Sequence, residues 1–237
     1  MITALGGDFF SSFLRDNMAG LGIDFSMSVV SPGDPSSVYL YITDDTGDMH
    51  VAVNDMEIVS RITPEHIEKH LAAINTFDAA VIDTNLTQET IEYICNNVTV
   101  PIYADPVSIV KAGKLKKVLH RLYCIKPNLL EAEALTGLSS PDEAVEYLYR
   151  IGIPRPFISA GTAGMTSYDG SRPVHIPSRL VRAVDATGAG DAAVAALVYA
   201  GIRNMPLAES GLLAAEAGAL TVSCKGANNP NLGKILM

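Results

Sequence analysis

The 237-residue sequence is short of positive charge: 17 lysines and arginines stand against 26 acidic residues, a net charge of −9. A chain of that balance lacks the basic surface a phosphate backbone needs, which argues against nucleic acid as a partner. An anionic ligand must instead be held by backbone dipoles or by a metal. Cysteine is scarce and odd in number. Cys95, Cys124 and Cys224 lie far apart and spell neither a disulfide framework nor a zinc site, so a reducing cytoplasm is expected. No apolar run approaches the ~20 residues of a membrane span. No basic region precedes an apolar stretch at the N-terminus, so neither a membrane anchor nor a signal peptide is expected. The P-loop pattern G-x-x-x-x-G-K-[ST] is absent. The five histidines show metal-like spacing only at His66 and His70. Their neighbours Glu65, Glu68 and Lys69 mark a solvated helix face instead.

What is present is globular. Apolar residues make up 48% and charged residues 18%, enough for one large domain with a real core. From Thr63 onward, helical and strand patterns alternate. Thr63-Pro64 and Thr87 mark helix starts. Ala79–Asp83, Val100–Pro106, Leu122–Ile125 and Phe157–Ala160 read as strands, the first of them wholly apolar before its polar end. A continuous apolar strand is covered on both faces, and the alternation predicts a doubly wound α/β fold with a mostly parallel sheet. Ile109–Leu119 is expected to be helical, as are Pro141–Ile151 and Leu207–Val222. Earlier, Phe9, Phe10, Phe13, Leu14 and Met18 predict a helix facing the core. Phe25–Val30, Val38–Thr43 and Met49–Asn54 predict a small antiparallel sheet, with 44–48 as a hairpin turn. Ligands in such folds bind at strand C-termini. Those ends read Asp83-Thr84-Asn85, Asp105-Pro106, Lys126-Pro127-Asn128 and Ser159-Ala160-Gly161.

The most informative stretch is Asp185-Ala186-Thr187-Gly188-Ala189-Gly190-Asp191, which runs into an Ala/Val/Leu-rich helix. Gly188 and Gly190 let backbone N–H groups converge on an anion, and the helix adds its dipole. Three readings compete: a tightly packed helix start, a dinucleotide fingerprint, and an anion hole for phosphate transfer. The dinucleotide reading requires a strand after the helix, and Arg203-Asn204-Met205-Pro206 followed by another helix does not supply it. A carboxylate at the rim, Asp191, suits proton removal from an attacking hydroxyl, which favours phosphate transfer. Asn128 and Glu131, three apart at a helix start, suit hydrated Mg²⁺, though spacing alone favours a capping box. Asn54 and Asp55 fit either a polar ligand or a strand-end turn.

The D-x-T-G-A-G-D stretch, followed by small residues, resembles the signature of the ribokinase-like (phosphofructokinase-B-type) carbohydrate kinases. The resemblance extends from Gly6 to about Asn228. It implies a three-layer αβα domain over 1–237 with lid strands inserted at about 25–56. It also implies an ATP-dependent kinase acting on a primary hydroxyl of a sugar or nucleoside, with Asp191 as the catalytic base. Gly188, Ala189 and Gly190 then hold the moving phosphate, and Asp185 and Thr187 lie at a K⁺ site. Asn128 and Glu131 organise Mg²⁺ through water, while Ser159, Gly161, Gly164 and Asn228 line the nucleotide. The lid segment is most similar to that of the pseudouridine kinases, and lids of this family often pair into homodimers. Family members begin with a further strand and a Gly-Gly-Asn-type segment, so ~30 more residues are expected ahead of Met1. Without them, a strand edge and apolar surface are exposed. A nucleotide-binding form without transfer activity, or a ribose- or fructose-type kinase, is then the alternative reading.

Overall fold

The computed structural model describes residues 1–43 and 49–236, so the expected turn at 44–48 lies outside the described residues. A six-stranded sheet forms the centre, in the order β10-β9-β8-β7-β6-β5. Strands β5 (Ala80–Asp83), β6 (Ile102–Asp105), β7 (Cys124–Ile125) and β8 (Arg155–Ser159) are parallel. Strands β9 (Met165–Tyr168) and β10 (Pro173–Ile176) continue it antiparallel.

The inner strands β6 to β9 are buried on both faces, and their residues sort by the two-residue period of a strand. Ile102, Ala104, Ile125 and Ile158 join one apolar cluster. Tyr103, Cys124 and Phe157 join the other. Helices α2 (Pro64–Ile74), α3 (Gln88–Asn97), α5 (Leu129–Thr136) and α6 (Pro141–Arg150) cover the first face through Ile67, Ile91, Ile94, Leu135, Val145 and Leu148. Helices α7 (Ala189–Ile202) and α8 (Leu207–Val222) cover the second through Ala193, Ala196, Leu197, Ala214 and Ala217. Alanines there let the two helices pack closely. Helix starts are chemically marked: Thr63, Thr87 and Ser140 each accept a backbone N–H at the first turn, as N-cap residues do.

Three expectations are corrected. The segment expected as one helix over 109–119 is a single turn, α4 (Ile109–Ala112), followed by 3-10 turns at Gly113–Leu115 and Leu119–Arg121. Gly113 weakens the helix, and Lys114 Nζ donates to the carbonyls of Thr84 and Leu86 at 2.8 and 2.7 Å, drawing the chain toward the strand ends. The first of the three lid strands is not in the lid. Val29–Ser31 (β2) pairs in parallel with Ala4–Gly6 (β1), a three-residue strand too short to show a period in the sequence. The lid is the hairpin of β3 (Val38–Thr43) and β4 (Met49–Asp55) alone. Helix α1 (Phe9–Ala19) does not face the core: Phe9, Phe10 and Phe13 are 73%, 59% and 57% exposed. It is fixed at its start by Asp8, which accepts from Ser11 N and from both the N–H and hydroxyl of Ser36.

Strand β5 is the sheet's edge, with Val81 exposed. An apolar crevice of about 1020 Å³ separates it from β1, lined among others by Leu5, Phe10, Phe13, Tyr39 and Val81.

Burial separates the two sets of aromatics energetically. Phe157→Ala should lower stability by about 3–5 kcal/mol, the cost of emptying a fully buried ring site. Phe13→Ala should stay within about 0.5 kcal/mol. Urea unfolding of both variants tests this, and equal losses would contradict the assigned positions.

Candidate active site

Because β5 to β8 run in parallel, Asp83, Asp105, Lys126 and Ser159 all emerge on one rim. Helix α7 begins there. Its N-cap, Gly188, has φ 81° and ψ −4°, a left-handed conformation that glycine adopts at little cost. A Cβ on Gly188 would lie 2.3 Å from the Ala227 carbonyl oxygen, so the position has no room for a side chain. Asp185 ties the same two loops together. Its Oδ1 accepts from Thr187 N at 2.9 Å and its Oδ2 from Gly226 N at 3.1 Å. Those N–H groups, Thr187's first, hold the Asp185 carboxyl below the usual carboxylate range.

Asp191 stands in the first turn of α7 with an open path to solvent. Among the described residues it has no ion pair. Crowding by the protein raises its carboxyl above the ordinary value. The Asp105 charge adds to the rise, Lys126 opposes it, and Asp83 contributes further. A helix N-terminus favours a carboxylate; here desolvation and like charges outweigh it. The result is a carboxyl raised above its ordinary range, beside the glycine nest.

Asn128 and Glu131 form a reciprocal capping box at the start of α5: Glu131 N donates to Asn128 Oδ1, and Asn128 N to Glu131 Oε2, both at 2.9 Å. Glu131 is 5% exposed, and burial raises its carboxyl while the bond from Asn128 N offsets part of the rise. Its Oε1 makes no hydrogen bond among the described residues. That hard oxygen suits a water of hydrated Mg²⁺, so cap and metal role are compatible. No group of three or more His, Cys, Asp or Glu among the described residues forms a direct metal cage.

Ser159 sits against this motif. Its N–H and hydroxyl both donate to the Pro127 carbonyl, at 2.9 and 3.3 Å, and Asn128 bridges to it. Gly161 opens a 3-10 turn with φ 57° and open space around it. Gly164 has a packing reason independent of any nucleotide: a Cβ there would lie 2.1 Å from the Ile176 carbonyl oxygen. Asn228 is exposed in the loop that packs on Gly188; its neighbour Asn229 anchors that loop by donating to Leu220 O at 2.6 Å. Asn54 lies on the lid opposite Tyr39. Asp55 accepts from Glu57 N at 3.2 Å, the strand-end turn among its two expected roles.

Three rim residues had no role assigned from sequence. Lys126 and Asp105 were visible only as polar strand ends; their pairing needs the parallel register. Tyr41 reaches across from the lid and accepts from the Thr187 hydroxyl at 3.2 Å, 146 residues away. Nothing in local patterning signals such a contact.

A family model of pfkB family carbohydrate kinases matches residues 1–233. The chain belongs to that family. It is 33% identical to pseudouridine kinase of Escherichia coli (strain K12) over 240 residues, covering 98% of this chain and 76% of the relative. Ribokinase of Thermotoga maritima superposes with a TM-score of 0.87 at 22% identity, over 99% of this chain and 80% of that one. A solved Escherichia coli ribokinase II, in complex with ATP and Mg²⁺, has a TM-score of 0.86 at 19% identity, over 99% and 80%. The fold is ribokinase-like, and the protein is a sugar or nucleoside kinase. The match from residue 1 to 233 includes the nest, the N-x-x-E helix and the lid.

Two substitutions separate fold from charge here. Gly188→Ala should destabilise by about 1–3 kcal/mol or more, from overpacking and lost left-handed freedom. Asp191→Asn should leave the unfolding midpoint unchanged or higher at pH 7, because a carboxyl with a raised folded-state value disfavours folding once ionised. That relief should shrink as pH falls toward the ordinary carboxylate value, ~3.9. A lower midpoint for Asp191→Asn at pH 7 would contradict the crowding at this residue.

Proposed function

We propose that the chain transfers the γ-phosphoryl group of ATP to a primary hydroxyl of a nucleoside, with the 5′-hydroxyl of pseudouridine as the favoured acceptor. The observation that carries this reading is Asp191: an exposed carboxylate at the mouth of a helix N-terminus, raised above its ordinary range by desolvation and like charges. Such a group takes the proton of the attacking hydroxyl. The N–H groups of Gly188, Ala189 and Gly190 and the α7 dipole stabilise the anionic phosphoryl group. Asn128 and Glu131 orient waters of Mg²⁺, and bound Mg²⁺ supplies charge neutralisation at the nucleotide phosphates. Ser159, Gly161 and the Asn228 loop border the nucleotide. The Asp185 carboxylate, Thr187 and the loop containing Asn228 offer oxygen donors of the kind K⁺ takes.

The lid supports a nucleoside rather than a bare sugar. Its inner face carries Tyr39 and Tyr41, with ring centroids 6.0 Å apart, and Asn54 opposite Tyr39. Aromatic faces and an amide suit a flat, polar base. Tyr41 touches Thr187 beside the nest, so a base on the lid leaves the ribose toward Asp191. The relative named pseudouridine kinase points to the same class. The lid's other face exposes Leu40, Ile42, Val51 and Val53, an apolar surface suited to pairing two copies lid to lid. No helix among the described residues is long and apolar enough to cross a membrane. The free cysteines suit the reducing cytoplasm.

A coupled ADP-release assay with pseudouridine, uridine, ribose and fructose tests the reading. Turnover should be highest with pseudouridine, and Asp191→Asn should lower kcat by about 10²–10⁴-fold. Activity should fall on the acid side as Asp191 takes up its proton. Asp105→Asn removes a like charge and should shift that limb to lower pH. Nucleotide binding without turnover on any acceptor would give the non-catalytic form instead, and full activity of Asp191→Asn would remove the base assignment.

A further inference from the structure

Lys126 carries a charge where charge is disfavoured. Its side chain is 6% exposed, and its Nζ lies 3.6 Å from Asp105 Oδ2. That separation is an ion pair but not a hydrogen bond. An ammonium has three donors, and no hydrogen bond from this one is made among the described residues. Asp105 does not close the gap because its other oxygen is engaged: Oδ1 accepts from Val107 N at 2.8 Å, and Val107 is itself held at φ 62°. An ammonium on a side chain this buried, with a single carboxylate beyond hydrogen-bond distance, has donors left over for a ligand at the rim. Such departures cluster at functional sites.

The ammonium points at the anion nest. A Cβ on Gly190 would lie 3.5 Å from Lys126 Nζ and 3.8 Å from Asp105 Oδ2. The other charges bearing on the nest, Asp83, Asp105 and Asp191, are negative. The nearby lysines are committed elsewhere: Lys111 Nζ donates to Asn85 Oδ1 at 2.6 Å, and Lys114 Nζ to two backbone carbonyls.

We infer that Lys126 is a further catalytic residue, whose ammonium takes a γ-phosphoryl oxygen of the nucleotide as its missing acceptor, and that Asp105 is the positioning residue that aims it. The inference rests on the phosphotransferase reading above. In the transfer, the substrate oxygen forms a bond to the γ-phosphorus, and the bond from that phosphorus to the β–γ bridging oxygen breaks. The leaving ADP keeps the electron pair, and Asp191 keeps the substrate proton. Lys126 exchanges no proton; its charge offsets that of the moving group.

Calorimetry on the full chain tests this, using Mg²⁺ with a non-hydrolysable ATP analogue and, separately, with ADP. Lys126→Met should weaken the analogue by about 10-fold or more while ADP stays within about 3-fold, since ADP lacks the group contacted. Turnover should fall by about 10²–10³-fold, the usual loss for one such donor. Lys126→Arg should recover part of the analogue's affinity. Asp105→Asn, which keeps the ammonium, should weaken the analogue more than ADP; it also decides the matter if Lys126→Met does not fold. Equal losses for ADP and the analogue would make Lys126 structural and overturn the inference, as would an unaltered analogue affinity. A wild-type chain that binds neither nucleotide would overturn the phosphotransferase reading and this inference together. Wild-type binding with an unaffected Lys126→Met would overturn this inference alone.

Discussion

Everything at this rim depends on one close approach, the Ala227 carbonyl lying against Gly188. A side chain at Gly188 would meet that oxygen at 2.3 Å, so the two loops touch through bare backbone. Asp185 fastens the contact with bonds to Thr187 N and Gly226 N. The consequence is the direction of α7. The left-handed turn at Gly188 brings the helix's first turn to the strand ends instead of past them. Asp191 and the glycine N–H groups then stand over the same edge as Asp105 and Lys126.

That edge concentrates charge in a way that opposes stability. Asp83, Asp105, Glu131 and Asp191 gather about one buried lysine. Two of these carboxyls, Glu131 and Asp191, are raised by desolvation before any neighbour is counted. Folded proteins are stable by a narrow margin, so such a cluster persists only because the two apolar layers elsewhere supply enough burial. Phe157, Ile125, Leu148 and Ile158, all fully buried beneath the rim, are that foundation. Site and core are in this sense one system: rigid strands fix charges that would otherwise move apart.

The lid follows a different logic. A two-stranded hairpin has little stability of its own, and this one has an apolar and an aromatic face. Contact between the Tyr41 and Thr187 hydroxyls links it to the nest. The apolar crevice between β1 and β5 adjoins the same region and shares Tyr39 and Asp83 with it. The lid and the open sheet edge therefore meet on one side of the molecule.

Much of this was legible in the residues. Apolar runs ending in polar residues gave the parallel strands, and Thr63 and Thr87 gave helix starts, because both signals are local. The D-x-T-G-A-G-D stretch gave the nest for the same reason. Asn128 and Glu131 were legible as a cap, which is where they are. What failed was whatever depends on a distant neighbour. The phenylalanines of α1 have core-like spacing, yet spacing cannot say whether anything lies opposite. The helix expected over 109–119 is broken by bonds from Lys114 to residues 84 and 86. Val29–Ser31 leaves the lid because its partner strand lies at residues 4–6. The sequence alone determined which segments form the parallel strands, where a glycine-rich turn opens α7 and which carboxylate stands in its first turn, since these follow from side-chain periodicity and backbone freedom. Only the tertiary structure decided that Lys126 and Asp105 share the site and that Tyr41 reaches it, because such proximity comes from strand register and loop packing rather than from any property of the residues themselves.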